Sequence, residues 1–390
     1  MKKLGTVAFL STYPPQECGI ATFTYDLVNA IDKYFPYINT QVIVIEENDK
    51  EYKFNNKVVF KIKEYNPSDY ILSARYINKS NIDMVNIQHE FGIFGGKDGE
   101  YLNLFLDVIK KPVITTLHTV LTQPREEQKR IIQKIAQRSE KLIVLSNTAI
   151  QILNDVYSIP KEKITVIHHG VPIYNSLSKE EAKQKFGLSD KLVISTFGLI
   201  NPGKGIEYAI EAISFLVEKY PNIVYLILGE THPKVKKIYG EDYREKLIAK
   251  VKELNLENNV IFVNKYLTKE ELIEYLIATD IYITPYLNKE QICSGTLAYA
   301  IGFGKAIIST PYLYAEEMLS NNRGILVDFR NAKAISEAID RILKNPEFMK
   351  TLEKKALEFG KQMKWPYVAL KYVFLFKSII NFPKRVEVLY

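Results

Sequence analysis

The stretch Leu192-Val193-Ile194-Ser195-Thr196-Phe197-Gly198-Leu199-Ile200-Asn201-Pro202-Gly203-Lys204-Gly205 reads as a strand, a glycine turn and the start of a helix. Its first six residues are rich in apolar and β-branched types, as in a strand covered on both faces. Gly198, Gly203 and Gly205 then let the backbone turn and come close to a ligand. Lys204 adds a cation beside the N-terminus of the next helix. Free N–H groups, a positive charge and a helix dipole aimed at one place suit a phosphate. The GxxxxGK[ST] spacing of a P-loop is absent.

The same alternation fills the chain on both sides of this unit. Strand-like runs lie at residues 6–10, 41–45, 58–62, 84–88, 113–117, 142–145 and 164–167, with helical patterns between them, for example at 21–34 and 124–138. After 192–197 they recur at 223–228, 260–263, 281–284, 306–309 and 325–327. Alternation on this scale predicts an α/β protein of two doubly wound, Rossmann-like domains. A length of 390 residues also exceeds one ordinary core. The predicted domains are residues 1–172 and 173–362, divided near Gly170-Val171-Pro172 and the polar stretch 174–179, with an aromatic helix pattern (Tyr367, Tyr372, Phe374, Phe376) in the segment 363–390.

Composition narrows the class. A net charge of +7 suits anionic partners such as nucleotide phosphates or an acidic membrane surface, and no Lys/Arg block of the nucleic-acid kind is present. No run reaches the roughly 18 apolar residues of a membrane span. Met1-Lys2-Lys3 resembles the basic end of a signal peptide, but the following apolar run is too short and is read as a buried strand. A cytoplasmic protein is therefore expected, with Cys18 and Cys293 as free thiols acting as small hydrophobes. The pattern 124–141 carries Arg125, Lys129, Arg130, Lys134, Arg138 and Lys141, which could meet anionic lipid at the membrane periphery. Glu126, Glu127 and Glu140 are interleaved with them, so a solvated face is the default.

In doubly wound sheets ligands bind at the carboxyl ends of strands, and the unusual residues gather there. The first such loop, residues 11–22, holds Glu17, Cys18 and Gly19. The second, Gln88-His89-Glu90-Phe91-Gly92-Ile93-Phe94-Gly95-Gly96-Lys97-Asp98-Gly99, has four glycines in eight residues beside a His–Glu pair. His89 and Glu90 are expected to orient sugar hydroxyls, with a satisfied capping pair as the alternative, since so many glycines suggest more than a stability role. His118 ends the fifth strand and can bond a substrate hydroxyl or steady developing charge. His168 and His169 are adjacent in a strand, point to opposite faces and cannot chelate together. No metal site or cofactor is expected. In Tyr286-Leu287-Asn288-Lys289-Glu290-Gln291-Ile292-Cys293-Ser294-Gly295-Thr296-Leu297-Ala298, a carboxylate precedes a Ser-Gly-Thr turn opening a helix. Its free N–H groups suit a diphosphate, and Glu290 suits sugar hydroxyls, with a plain surface charge as the alternative for that residue.

These segments, with Gly302-Phe303-Gly304-Lys305-Ala306-Ile307-Ile308 and Ile167-His168-His169-Gly170-Val171, resemble the retaining GT-B glycosyltransferases of family GT4 over essentially the whole chain. The resemblance implies two domains facing a deep cleft, the C-terminal one holding the donor, and a C-terminal helix crossing back to the N-terminal domain. It implies metal-independent transfer of a hexose, of mannose or glucose type, from a nucleotide-diphosphate sugar (GDP- or UDP-linked) to a carbohydrate or lipid-linked hydroxyl. His118, Glu290 and Lys204 take the catalytic roles. Gly19, Gly198, Asn201, Lys204, Gly205, Glu290, Ser294, Gly295 and Thr296 bind the donor, while Glu17, His89, Glu90 and Gly92 face the acceptor. Two positions depart from the family pattern: Leu199 stands where an Arg is common, and Ala298 replaces the second Glu of E-x7-E, which holds the ribose. Those departures keep two alternatives in view, a phosphate-dependent sugar phosphorylase on the same fold and a sugar- or nucleotide-binding homologue without catalysis.

Overall fold

The computed structural model describes residues 5–47, 50–174 and 176–381. Met1-Lys2-Lys3, Asn175 of the polar stretch 174–179, and residues 382–390 of the C-terminal segment lie outside the described residues. Contacts divide the chain into two compact units, one running to Gly170 and resuming at Lys364, the other Val171–Met363. Local bonds explain the dividing points. The Val171 N–H donates to the Met363 carbonyl at 2.7 Å, closing the second unit on itself. Gly170 lies so close to the Trp365 ring of its own unit that an added Cβ would stand 2.3 Å from it.

The first unit is built on a parallel sheet of β1 (Thr6–Ser11), β2 (Asn39–Glu46), β3 (Val58–Lys63), β4 (Met84–His89), β5 (Val113–Leu117), β6 (Lys141–Val144) and β7 (Ile164–Val166). Their order is β3-β2-β1-β4-β5-β6-β7. Strands β1, β4 and β5 are buried along their whole length, which is why their sequences are near-continuous apolar runs rather than alternating ones. The helix Trp365–Asn381 packs on the helix Gly19–Tyr34. Val368, Tyr372 and Phe376, spaced i, i+4, i+8, form its buried stripe, and Phe376 meets Phe9 of β1 edge-on at 6.3 Å. Tyr367 and Phe374, predicted as part of the same pattern, are instead 55% and 63% exposed.

The second unit holds β8 (Leu192–Phe197), β9 (Ile223–Leu228), β10 (Val260–Val263), β11 (Ile281–Thr284), β12 (Ala306–Ser309) and β13 (Ile325–Leu326), all parallel in the order β10-β9-β8-β11-β12-β13. Alternate residues enter two separate cores. Ile194, Tyr225, Ile227, Ile281 and Ile308 join one with helices Ile206–Ser214, Asp242–Glu253 and Ala332–Lys344. Val193, Val224, Leu226, Tyr282 and Ile307 join the other with helices Lys269–Ala278, Gly295–Gly302 and Leu313–Met318. Each fully buried Ile or Leu contributes about 1.5–3 kcal/mol, so a strand such as β9, with every residue at most 2% exposed, anchors both layers at once.

The strand order decides where function sits. Each sheet grows outward in one direction, then doubles back, placing β4 beside β1 and β11 beside β8. Such a reversal opens a crevice at the carboxyl ends of the two flanking strands. The loops leaving β1, β4, β8 and β11 are the ones that carry Gly19, His89–Gly92, Gly198–Gly205 and Glu290–Thr296.

Candidate active site

In the second unit, Gly198 ends β8 with φ 126°. A side chain there would place its Cβ 3.2 Å from Thr296 Cγ2 and 3.9 Å from Lys204 Nζ. The two loops flanking the switch point thus converge on one small space, and only a glycine leaves it open. Asn201 serves the turn itself: its Oδ1 accepts from the Gly203 N–H at 2.9 Å and its amide donates to the Leu199 carbonyl at 3.2 Å. Gly205 is required by the backbone, with φ 61° and a would-be Cβ 2.1 Å from the Pro285 carbonyl oxygen. The helix Ile206–Ser214 that follows has the Ile206 N–H donating to the Tyr243 hydroxyl at 3.2 Å. That N-terminus is therefore less open to an anion than the sequence suggests.

The helix Gly295–Gly302 is the more open of the two. Ser294 is its N-cap, with Oγ accepting from the Leu297 N–H at 3.3 Å. The Gly295 and Thr296 N–H groups take no partner among the described residues and remain available to an anion. Lys204 places its Nζ 3.8 Å from the centre of the Tyr286 ring, over its electron-rich face, and has no carboxylate partner among the described residues. Tyr286 is fully buried, stacks on Tyr312 at 5.5 Å, and bonds Thr296 Oγ1 through its hydroxyl at 2.7 Å. Thr296 Oγ1 lies 3.1 Å from Ser294 Oγ. One tyrosine thus supports both the cation and the helix start. Sequence reasoning missed it because a tyrosine at a strand end reads as core.

Glu290 sits in a loop pinned at both sides. Leu287 N–H donates to the Gly203 carbonyl at 2.9 Å, tying this loop to the β8 turn. Leu313 and Tyr314 N–H groups donate to the Lys289 and Gln291 carbonyls, each at 3.0 Å. The Glu290 carboxylate is half-buried and takes no partner among the described residues. Ala298 is fully buried in an apolar core, and Leu199 is half-buried, so neither offers a charge to a ligand. Gly229, which closes β9 with φ 128°, was also missed; a Cβ there would stand 2.3 Å from the Gly198 carbonyl oxygen.

In the first unit, Gly19 opens the helix Gly19–Tyr34, is exposed, and has nothing within 4 Å of a would-be Cβ. Glu17 is exposed beside it. Cys18 differs from the expected small hydrophobe: its Sγ caps the helix, accepting from the Ala21 N–H at 3.3 Å and lying 3.1 Å from Thr12 Oγ1. His118 is 7% exposed, bonds Gln88 Oε1 through Nε2 at 2.8 Å, and rests against the edge of Phe23 at 4.8 Å. Burial, with the neighbouring His169 and His89, pushes its basicity down to about 3. It is a neutral imidazole near pH 7, so it can bond a hydroxyl but does not steady negative charge as a cation.

The loop at residues 89–99 differs from its expected role. His89 is fully buried between Phe91 and Phe94, stacking on the latter at 5.8 Å, and both ring nitrogens are sealed from solvent. It presents nothing to an acceptor sugar. The glycines answer to the fold: a Cβ on Gly95 would strike the Glu64 carbonyl at 1.8 Å, and Gly96 and Gly99 both have φ 81°. Glu90 is half-buried and accepts a bond from Thr119 Oγ1; Gly92 lies beside it at the start of the loop. Several cations of the 124–141 pattern also have internal partners: Arg125 with Asp98, Lys134 with Asp107 at 2.8 Å, and Arg138 with the Leu106 and Ile109 carbonyls. No helix among the described residues is long and apolar enough to cross a membrane. Nor do three or more His, Cys, Asp or Glu side chains gather as a metal site among them.

Two doubly wound parallel sheets, with ligand-shaped loops at both switch points, define the GT-B class of glycosyltransferase fold. The chain belongs to the group 1, family 4 glycosyltransferases: residues 178–359 match the model for glycosyl transferases group 1, and residues 19–174 that for glycosyltransferase family 4. It is similar to MJ1069, an uncharacterized glycosyltransferase of Methanocaldococcus jannaschii, with 25% identity over 65% of this chain and 62% of that protein. It is similar also to D-inositol 3-phosphate glycosyltransferase of Mycolicibacterium smegmatis, with 24% identity over 60% and 52% of the two chains. The match thus spans less than two thirds of either relative's length. The fold of Anabaena HepE, solved with UDP, superposes with a TM-score of 0.75 at 14% identity, over 96% of this chain and 100% of that one.

Proposed function

We propose that this chain transfers a hexose, of mannose or glucose type, from a nucleotide-diphosphate sugar to a hydroxyl acceptor with retention at the anomeric carbon. The observation that carries the proposal is the convergence of Gly198, Lys204 and Thr296 beside the open N-terminus of Gly295–Gly302. That arrangement fits a diphosphate by charge and by donor geometry. The family membership and the UDP bound in HepE favour a nucleotide as its carrier. A sugar phosphorylase is not favoured, since the matched models and named relatives are glycosyltransferases.

The bond between the anomeric carbon and the diphosphate oxygen breaks, and its electron pair leaves with the diphosphate. Lys204 and the Gly295 and Thr296 N–H groups stabilise that charge as it develops. The acceptor oxygen forms its bond on the face the diphosphate leaves, and the acceptor proton passes to the departing phosphate. Glu290 accepts bonds from donor-sugar hydroxyls, and His118 of the first unit, a neutral imidazole, is by itself suited to accept from a sugar hydroxyl. The cationic work falls to Lys204 and the helix end, so the reaction needs no metal.

Incubation with UDP-, GDP- and ADP-linked glucose and mannose and a panel of sugar, inositol and lipid-linked acceptors is the test. The proposal expects acceptor-dependent release of nucleoside diphosphate and an axial or equatorial linkage matching that of the donor. It expects Glu290→Ala to lower kcat/KM by about 10²-fold or more. Full activity in Glu290→Ala, or phosphate-driven cleavage of oligosaccharides without response to nucleotide sugars, would sink it.

A further inference from the structure

Beneath His118 lies a buried polar chain that the transfer chemistry leaves unexplained. Asn86 and Gln88 are both fully buried and, two residues apart on β4, share one face of the sheet. Their register places Gln88 beside Thr116 of β5. The Asn86 amide donates to the Ile114 carbonyl at 3.3 Å, which turns Asn86 Oδ1 towards Gln88. Gln88 Nε2 donates to that oxygen and lies 3.4 Å from Thr116 Oγ1. Gln88 Oε1 is then the atom left facing His118 Nε2. Reversing either amide would set oxygen against oxygen in a dry interior and leave buried donors unpaired. The chain therefore runs one way only.

We infer that Asn86 and Gln88 are positioning residues that fix His118 in its Nε2–H tautomer, leaving Nδ1 as a permanent hydrogen-bond acceptor for a sugar hydroxyl. An amide oxygen can only accept, so the nitrogen facing it must carry the proton. A second proton on the ring is opposed by burial and by the two neighbouring imidazoles. Nδ1 takes no partner among the described residues and, unlike the nitrogens of His89, is not sealed from solvent. Thr116 Oγ1 lies 3.0 Å from the Tyr372 hydroxyl, so the helix Trp365–Asn381 braces the same network. Only the identity of the ligand hydroxyl rests on the transferase reading; the tautomer does not.

Long-range proton–nitrogen correlation NMR on the 15N-labelled full chain reads the tautomer directly, with His118→Asn used to assign the signal. The expected result is a protonated Nε2 and an unprotonated Nδ1 at neutral pH. Gln88→Met keeps the side-chain length but removes the acceptor. It is expected to shift His118 towards a mixture of tautomers and to lower kcat by ~10-fold or more, since a catalytic imidazole held in the wrong tautomer loses its function. An Nδ1–H or doubly protonated His118 in the wild-type chain overturns the inference, whether or not any variant folds. So does a folded Gln88→Met chain with an unchanged His118 signal. The predicted tautomer in a chain that turns over no nucleotide sugar would support the positioning role while removing the transferase reading.

Discussion

Lys204 and Tyr286 show how a single contact can organise a site. A surface lysine usually wanders, but here its ammonium rests 3.8 Å from a ring that is itself locked by stacking on Tyr312 and by a bond to Thr296. A placed cation meets a phosphate with less lost side-chain entropy than a free one. Tyr286→Leu is therefore expected to weaken nucleotide-sugar binding by about 1–2 kcal/mol, roughly 5- to 30-fold in Kd. Tyr286→Phe keeps the ring and should retain most of the affinity, and titration calorimetry separates the two. Lys204, Glu290 and Ser294 were legible in the sequence because a charge or a cap at a strand end stands out from its surroundings. Tyr286, Asn86 and Gln88 were not, because their roles depend on neighbours brought in from other strands. His89 misled for the same reason: nothing in its own segment tells that Phe91 and Phe94 will close over it.

At the scale of elements, the thirteen strands among the described residues fall on the predicted runs, most plainly central ones such as β1, β4 and β5, because a strand covered on both faces leaves an unbroken hydrophobic signature. The turns were harder. In the His89–Gly99 loop, glycines that suggest ligand approach are demanded by a carbonyl in the way and by left-handed backbone. Gly198 and Gly205 show the two cases side by side: the first keeps space open beside Lys204 and Thr296, the second avoids the Pro285 carbonyl. Gly205→Ala should accordingly cost about 1–3 kcal/mol of stability, with denaturant unfolding as the readout. Ser294→Ala removes the cap of Gly295–Gly302 and should cost about 1 kcal/mol. Because that helix start is also the proposed anion site, the same variant should bind the donor more weakly, whereas a cap of purely structural value would leave affinity in the folded chain unchanged.

For the whole molecule, alternation of strands and helices gave the class, but the strand order could not be read from any one segment. Order is fixed by which edges pair, and periodicity along one segment does not record that. The first unit also carries a pH signature. Burial pushes His89 and His118 down to about 3 and His169 to about 4, against about 6.5 for an exposed imidazole. Their folded basicity is depressed, so the unfolded chain binds more protons below pH 6.5. The stability they confer is full above about 6.5 and falls as the pH drops towards 4 and 3. The denaturant midpoint should fall between pH 7 and pH 4.5, and His89→Phe should flatten that fall; an unchanged slope would show that these imidazoles are not the cause.

The switch-point loops of the second unit are proposed to hold the diphosphate of an activated sugar. Calorimetric titration of the wild-type chain and of Lys204→Met with UDP-, GDP- and ADP-linked hexoses tests this role most directly. Saturable binding of at least one of these donors to the wild-type chain is expected. In Lys204→Met, Kd should rise by about 5- to 150-fold, the loss of one charge-assisted phosphate contact, with little change in melting temperature. Equal affinity in the two chains, or binding to neither under conditions where the wild type is folded, would contradict it.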